Sequence, residues 1–205
     1  MGAEKIKIAV NGGIQFGAKL NARQLSILVK YLGENQEVEL TTFQQIYLEI
    51  PKSNAQEIMK EFRKSGLSCY PVGNYVKSLR TCNFCKGSEE EGMPVAQELN
   101  RRVAGREVPF TLKFAYTGCP VGCGEPLVND IGVMKIKDTY SLYIGGKSTG
   151  KDAEIGTLLF KDLSPEQLYQ KADKIIELYI CEGKKREKFY KFVKRVGIDR
   201  IKESL

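Results

Sequence analysis

The stretch "TGCPVGCGEP", residues 117–126, constrains this chain more than any other. Two cysteines, Cys119 and Cys123, stand on backbone that glycine and proline leave almost bare of side chain. A second pair, Cys82-Asn83-Phe84-Cys85, lies upstream, with 33 residues between Cys85 and Cys119. Two close pairs far apart in sequence can supply two edges of one tetrahedron, so the fold must bring both segments to one place. The chain has no histidine. That removes Ser–His and Cys–His nucleophile pairs, His-ligated zinc and His-ligated haem. A metal must then rest on Cys or carboxylate, and by spacing zinc and an iron–sulfur cluster both qualify. Cys69 and Cys181 complete the six cysteines and read as small core hydrophobes. Cys69 follows a helix-ending glycine, and Cys181 falls on the apolar side of the last long helix.

The 205 residues suffice for one good core or for two small lobes. The excess of 32 Lys+Arg over 25 Asp+Glu, a net +7, suits an anionic partner. No nucleic-acid motif or basic–aromatic stripe accompanies it, which argues against nucleic acid. No apolar run reaches membrane-spanning length and no signal peptide is visible, so the reading is cytoplasmic, with cysteines kept reduced for metal rather than paired in disulfides.

Residues 5–10, "KIKIAV", read as a strand. Asn21 and Gln24 form a capping box for a helix with Leu25, Leu28, Val29 and Leu32 on one face and Gly33 as its stop. "EVELTTFQQIYLEI", 37–50, reads as one long strand or two short ones. Ser53 and Gln56 cap a second helix that carries Ile58, Met59 and Phe62 and ends at Gly66. Residues 1–68 thus read as a compact unit with two helices on one sheet, and residues 69–205 as a second. The acidic run Glu89–Glu91 reads as a solvated turn or the opening of a helix through Leu99, since acids favour helix N-termini. "FTLKFAY" (110–116), "IGVMKI" (131–136) and "YSLYIGG" (140–146) are strands, followed by the glycine-rich loop "GGKSTGKDAEIG". Ser164, Pro165 and Gln167 open a helix with Leu168, Ala172, Ile175, Ile176 and Tyr179 at helical spacing, and the basic stretch "KKREKFYKFVKR" follows. Helices and strands do not strictly alternate, which makes the fold class α+β.

These residues carry a resemblance. "TGCPVGCG", "DIGVM", "YSLYIGGKSTG" and "DLSPEQL" resemble the cluster half of the sirohaem-dependent sulfite and nitrite reductases. "LNARQL … VELTTFQQIYLEI" resembles the ferredoxin-like lobe that precedes it. The likeness covers nearly the whole chain and is most specific over 113–165. It implies a ferredoxin-like N-terminal lobe followed by a mixed α/β lobe for sirohaem and a [4Fe–4S] cluster, in the short, single-unit type of the family. Full-length relatives hold two such units, so pairing with a second copy, a homodimer, would supply the missing half.

Carried over, Cys82, Cys85, Cys119 and Cys123 hold the cluster, and Cys123 bridges to the sirohaem iron. Cations for the sirohaem carboxylates would be Arg80, Lys113 and Lys147, the last in the glycine-rich loop with Gly145 and Gly146. Arg101 and Arg102 are further candidates, set against an ordinary solvated helix end. Lys113 would also be the catalytic cation that stabilises charge on the bound anion. The implied activity is reduction of sulfite, with nitrite or another small inorganic anion as the alternative. Electrons must come from an external donor such as a ferredoxin, since no flavin or nucleotide fingerprint occurs. An iron–sulfur electron-transfer or cofactor-handling protein with little turnover, and a zinc-stapled binding domain, are the rival readings. The chain departs from the family pattern at four places. Its first pair is C-x2-C rather than C-x5-C, Val121 replaces an asparagine, Thr111 stands where a second lysine is expected, and Phe43 replaces the arginine of Thr-Thr-Arg-Gln. Phe43 removes a cation that faces the anion and favours the electron-transfer rival.

Overall fold

Strand β1 (Lys5–Asn11) organises the first part of the chain, because Ile8, Ala9 and Val10 are all buried. It pairs antiparallel with β3 (Ile46–Pro51), Ile8 opposite Leu48, and on its other edge with β4 (Ser68–Pro71), Val10 opposite Cys69. β2 (Glu39–Leu40) extends the sheet to give the order β2-β3-β1-β4. Helices α1 (Ala22–Lys30) and α2 (Ala55–Lys64) fall between β1 and β2 and between β3 and β4. This β-α-β-β-α-β order is the ferredoxin-like motif. The computed structural model describes residues 4–14, 19–33, 35–85 and 89–205, except the side chains of Glu89–Glu91. Among them the chain divides into two compact units, Met1–Val72 and Gly73–Leu205.

In the first unit Ile8, Val10, Leu48, Ile50, Ile58 and Phe62 form the core. The capping box of α1 is formed: Gln24 N–H donates to Asn21 Oδ1 at 2.9 Å, and Asn21 N–H donates to Gln24 Oε1 at 3.0 Å. The buried positions of α1 are Gln24 and Leu28, while Leu25 and Val29 are 48% and 65% exposed, against the four-residue apolar face expected. Gln24 turns inward because its amide donates to Gly66 O at 3.0 Å. Segment 37–50 is two strands, separated by a turn in which Gln45 N–H donates to Thr41 Oγ1. Ser53 does not cap α2; Lys52–Asn54 forms a 3-10 turn and the helix starts only at Ala55. Cys69 is half-buried, and burial pushes its thiol up to about 11, which suits an inert packing residue.

The second unit is a five-stranded sheet in the order β5-β6-β7-β8-β9. β5 (Arg80–Thr81), β6 (Phe114–Thr117) and β7 (Ile131–Ile136) run parallel; β8 (Thr139–Ile144) pairs antiparallel with β7, and β9 (Thr157–Leu163) antiparallel with β8. All four residues of β6 are buried, as a central parallel strand requires. Helix α3 (Glu89–Val103) connects β5 to β6, so the acidic run opens a helix, its side chains lying outside the described residues. The β6–β7 crossover is 118–130, which holds only a 3-10 turn, Pro126–Val128; parallel strands need a dozen residues or more to reverse. That crossover carries the cysteine loop. β9 is missing from the sequence reading because its first residues, Thr157 and Leu158, are exposed and give no alternation.

Helix α4 (Pro165–Glu182) has the capping box expected at Ser164 and Gln167. Its buried face includes Leu168, Ala172, Ile175, Ile176 and Tyr179. Cys181 is exposed, contrary to its reading as a core residue, because two residues past Tyr179 is more than half a helical turn away from that face. The basic stretch forms α5 (Phe189–Val196), followed by α6 (Ile198–Glu203). Phe189 and Phe192 pack their rings 5.1 Å from that of Tyr179, so the aromatics of the basic stretch tie it down. No helix among the described residues is long and apolar enough to cross a membrane.

Candidate functional site

Parallel strands leave their carboxyl ends on one side of the sheet, the side where open α/β sheets receive ligands. β5 and β6 place the two cysteine pairs there. Thr81 pairs with Tyr116 in register, so Cys82 leaves β5 beside Thr117, two residues before Cys119. Cys82 N–H donates to Tyr116 O at 3.2 Å, and Gly118 N–H donates to Cys82 Sγ at 3.3 Å. The amide of one cysteine segment thus already touches the thiol of the other.

Two features shape this end. Phe84, between Cys82 and Cys85, is in the left-handed region (φ 48°), with its ring buried and stacked 5.9 Å from Tyr116. An aromatic residue is strained there, and the buried stacking offsets the cost. It leaves Cys82 buried and Cys85 exposed. At Gly124 a Cβ would lie 2.0 Å from Tyr116 O and 3.2 Å from Cys82 N, so only glycine lets the crossover come this close. Beyond it, Glu125 Oε1 pairs with Arg80 Nη2 at 2.6 Å and clasps the crossover to β5. Cys119 is half-buried and Cys123 exposed. Among the described residues no three Cys, Asp or Glu side chains are gathered closely enough to hold a metal ion. The donor set fits a four-thiolate group by its chemistry and by the Gly118 amide on sulfur, an interaction that stabilises a ligating thiolate.

The other predicted residues sit at the opposite end of the same strands. Lys113 precedes β6, and at ~3.3 Å per residue it lies roughly 16 Å along the strand from Gly118. Its N–H donates to Asp130 Oδ2 at 2.9 Å, and Ile131 N–H donates to Lys113 O at 3.1 Å. Gly145 N–H donates to Asp130 O at 2.8 Å. Gly146 is required by packing: a Cβ there would lie 2.5 Å from both Leu127 O and Asn129 O. Lys147 lies 4.8 Å over the Tyr190 ring and 3.8 Å from Asp152. Lys113, Asp130, Lys147, Ser148, Thr149 and Lys188 line one cleft of about 130 Å³. Burial pushes the Asp130 carboxyl up to about 7, against the opposing pull of the Lys113 amide, the Lys113 ammonium and Lys188. The structure therefore groups the thiols, with Arg80 beside them, at one end, and Lys113, Gly145, Gly146 and Lys147 at the other.

Arg101 and Arg102 belong to neither end. Both bind Glu98 at 2.7 Å and hold its carboxyl well below the usual range, and Arg102 also stacks 4.8 Å over Tyr169. They are a solvated helix end. Sequence reasoning missed Phe84, Glu125, Asp130 and Lys188. Asp130 did stand in the quoted "DIGVM" motif, as the residue just before a strand, while Lys188 was hidden among the other charges of the basic stretch.

Residues 75–205 match the family described as the nitrite and sulphite reductase 4Fe-4S domain. A cobalt-factor III methyltransferase of Priestia megaterium is 30% identical over 190 residues, 93% of this chain but 35% of its own length. An assimilatory-type sulfite reductase of Nitratidesulfovibrio vulgaris is 28% identical over 170 residues, 82% of this chain and 78% of its own. The chain thus spans about a third of one relative and over three-quarters of the other. The crystal structure of dissimilatory sulfite reductase I shares the fold over 98% of this chain and 68% of its own, with a TM-score of 0.71 at 15% identity. With more than half of its residues matched, this chain belongs to the nitrite and sulphite reductase 4Fe-4S domain family, whose cofactors are a [4Fe–4S] cluster and sirohaem.

Proposed function

We propose that the chain works in the reduction of a small inorganic anion, sulfite first and nitrite as the alternative. The observation that supports the reading is the approach of the two cysteine segments at the carboxyl ends of adjacent parallel strands, where the Gly118 amide donates to Cys82 Sγ. In this reading Cys82, Cys85, Cys119 and Cys123 would hold the cluster, and Cys123, exposed beside Gly124, is the candidate for contact with the sirohaem. The cofactors, when bound, would supply the electrons for reducing the anion. The chain's own part is to orient the thiolates, to direct amides at sulfur and to place cations near anionic groups. Arg80, already paired with Glu125, stands beside the thiols. Lys113 and Lys147, with Gly145 and Gly146 shaping their loop, are the candidates for cofactor carboxylates. A catalytic part for Lys113 calls for a second copy, because within one unit it lies at the far end of β6 from the thiols. An external donor such as a ferredoxin supplies the electrons.

A second reading, an iron–sulfur electron-transfer or cofactor-handling role, is favoured by Phe43 in place of an anion-facing arginine. The likeness to a methyltransferase over 93% of the chain supports it too. One experiment separates the readings. Anaerobically purified protein is examined for its absorption spectrum and then assayed with reduced viologen and sulfite or nitrite. Soret and red bands with turnover are expected. Full sirohaem occupancy without turnover of either anion transfers the assignment to the second reading, and zinc without colour defeats both.

A further inference from the structure

The sheet of the first unit ends in β2, an exposed edge whose two faces differ in chemistry. Leu40 stands opposite Ile46, so both side chains point to the helix side of the sheet, where Ile46 packs on the core. Leu40 is nevertheless 76% exposed. Helix α1 leaves it uncovered. Arg23, Ile27 and Lys30 of α1 turn towards α2 and share a cleft with it, whereas Leu25 and Val29 are exposed on the flank away from α2. With Val38, these make four of the eight large apolar side chains exposed among the described residues, all in the smaller unit, which is more than single scattered residues explain. Val10, Leu20, Leu40 and Ile46 line a cleft of about 210 Å³ beside them.

The opposite face of the edge is acidic. Glu37, Glu39 and Glu49 line a cleft of about 530 Å³ with Lys7 and Tyr47. Lys7 stands opposite Glu49 in the register, and among the described residues neither Glu37 nor Glu39 forms an ion pair. The backbone is open as well. Thr41 N–H donates to Gln45 O at 2.9 Å, so by alternation the N–H and C=O of Leu40 point away from β3. No strand among the described residues takes them up. β2 carries no proline, whereas the other edge, β4, ends in Pro71. A second copy of β2 is a poor occupant, since self-pairing sets its acids against their own copies, and like charges across a strand pair repel. We propose that the outer edge of β2 receives an extended segment of a partner protein as an added antiparallel strand, apolar residues on its helix side alternating with lysine or arginine on its acidic side. Backbone bonds hold such a strand, and the two faces select its alternate side chains. The partner residue opposite Leu40 shares its face and exchanges both hydrogen bonds with it, so the apolar residues of the segment present their N–H groups to β2. The proposal concerns the first unit alone and does not depend on the reductase reading.

The test is a titration of the full chain with an end-capped synthetic peptide of alternating valine and lysine, followed by backbone amide resonances. The chain carries a net +7, so a cationic peptide is repelled by most of its surface and reports the local acids. Saturable shifts are expected over residues 37–41 and 46–49. A peptide of alternating valine and glutamate is expected to give none. N-methylation of the valines is expected to abolish binding, and N-methylation of the lysines to leave it nearly unchanged. Glu37→Gln combined with Glu39→Gln is expected to weaken the lysine peptide about tenfold. Leu40→Ser is expected to weaken it several-fold. All three side chains are exposed, so Tm is expected to stay at the wild-type value in both variants. The absence of saturable shifts, equal binding of the glutamate peptide, or equal effects of the two methylations would each overturn the proposal.

Discussion

Replacing Asp130 with asparagine isolates one buried charge. The Asp130 carboxyl is raised from the ordinary 3.8 to about 7, with desolvation the largest cause, outweighing Lys113 and Lys188; Tyr179 of α4 faces it as well. Between roughly pH 4 and 7 the native state holds a proton that the unfolded chain has released, so stability falls as pH rises through that window. An asparagine side chain would keep an oxygen to accept the Lys113 N–H and would carry no charge. Asp130→Asn is therefore expected to flatten the pH dependence of Tm between pH 4 and 7 and to stabilise the protein at pH 8, by at most a few kcal/mol. A variant less stable than wild type at pH 8 would mean that the lysines, not burial, govern this group. The thiols give a second prediction: Cys123→Ser abolishes the spectroscopic coupling of sirohaem to cluster, whereas Cys181→Ser, exposed on α4, leaves spectrum and stability unchanged. Phe43 is 3% exposed, so Phe43→Arg would bury a guanidinium and is expected to lower Tm in thermal unfolding. At this scale the sequence was legible where a residue type is rare and its chemistry narrow, as with cysteine. It was not legible at Asp130, because an aspartate before a strand looks like any turn residue until the sheet buries it.

The elements divide in the same way. The capping boxes at Asn21 and Ser164 were visible because each is closed within four residues, and both are formed. Ser164→Ala is expected to cost about 1 kcal/mol in chemical denaturation, with the denaturant slope unchanged. β4 and β5 are too short to carry a period, and the two ends of the second sheet depend on pairings between distant segments. The strand Thr157–Leu163 shows its sheet only through β8, its antiparallel neighbour. The cysteine crossover is the element where local and distant demands meet, since Gly124 lies against both Tyr116 O and Cys82 N. Gly124→Ala must push the crossover off β6, separate Arg80 from Glu125 and move Cys123. The expected result is a protein that folds with lower Tm and binds substoichiometric iron. Wild-type iron content in Gly124→Ala would show that the close approach does not position the thiols.

The whole molecule has two compact units, and its cysteine pairs all lie in one of them. The first has its own antiparallel sheet and a core built on Ile8, Val10, Ile50 and Phe62. In the second, the four candidate thiols join the end of β5 to a crossover that contains no helix longer than one 3-10 turn, so a group bound there ties down a stretch with little regular structure of its own. Ligands that bind the native state alone stabilise it in proportion to their affinity, and metal sites do this strongly because thiolates are rarely gathered in the unfolded chain. Anaerobically prepared protein is expected to contain iron and acid-labile sulfide in about equal amounts, near four of each per chain, as a cubane cluster requires. Removing the iron with a chelator under anaerobic conditions should then lower the temperature at which the second unit unfolds and leave the unfolding of the first unchanged. Differential scanning calorimetry, with hydrogen exchange to assign each transition to residues 1–72 or 73–205, would measure this. An equal shift of both transitions would mean that the two units unfold as one. No shift on complete iron removal would mean that the thiols do not hold the second unit together, and the four-thiolate assignment would have to be given up.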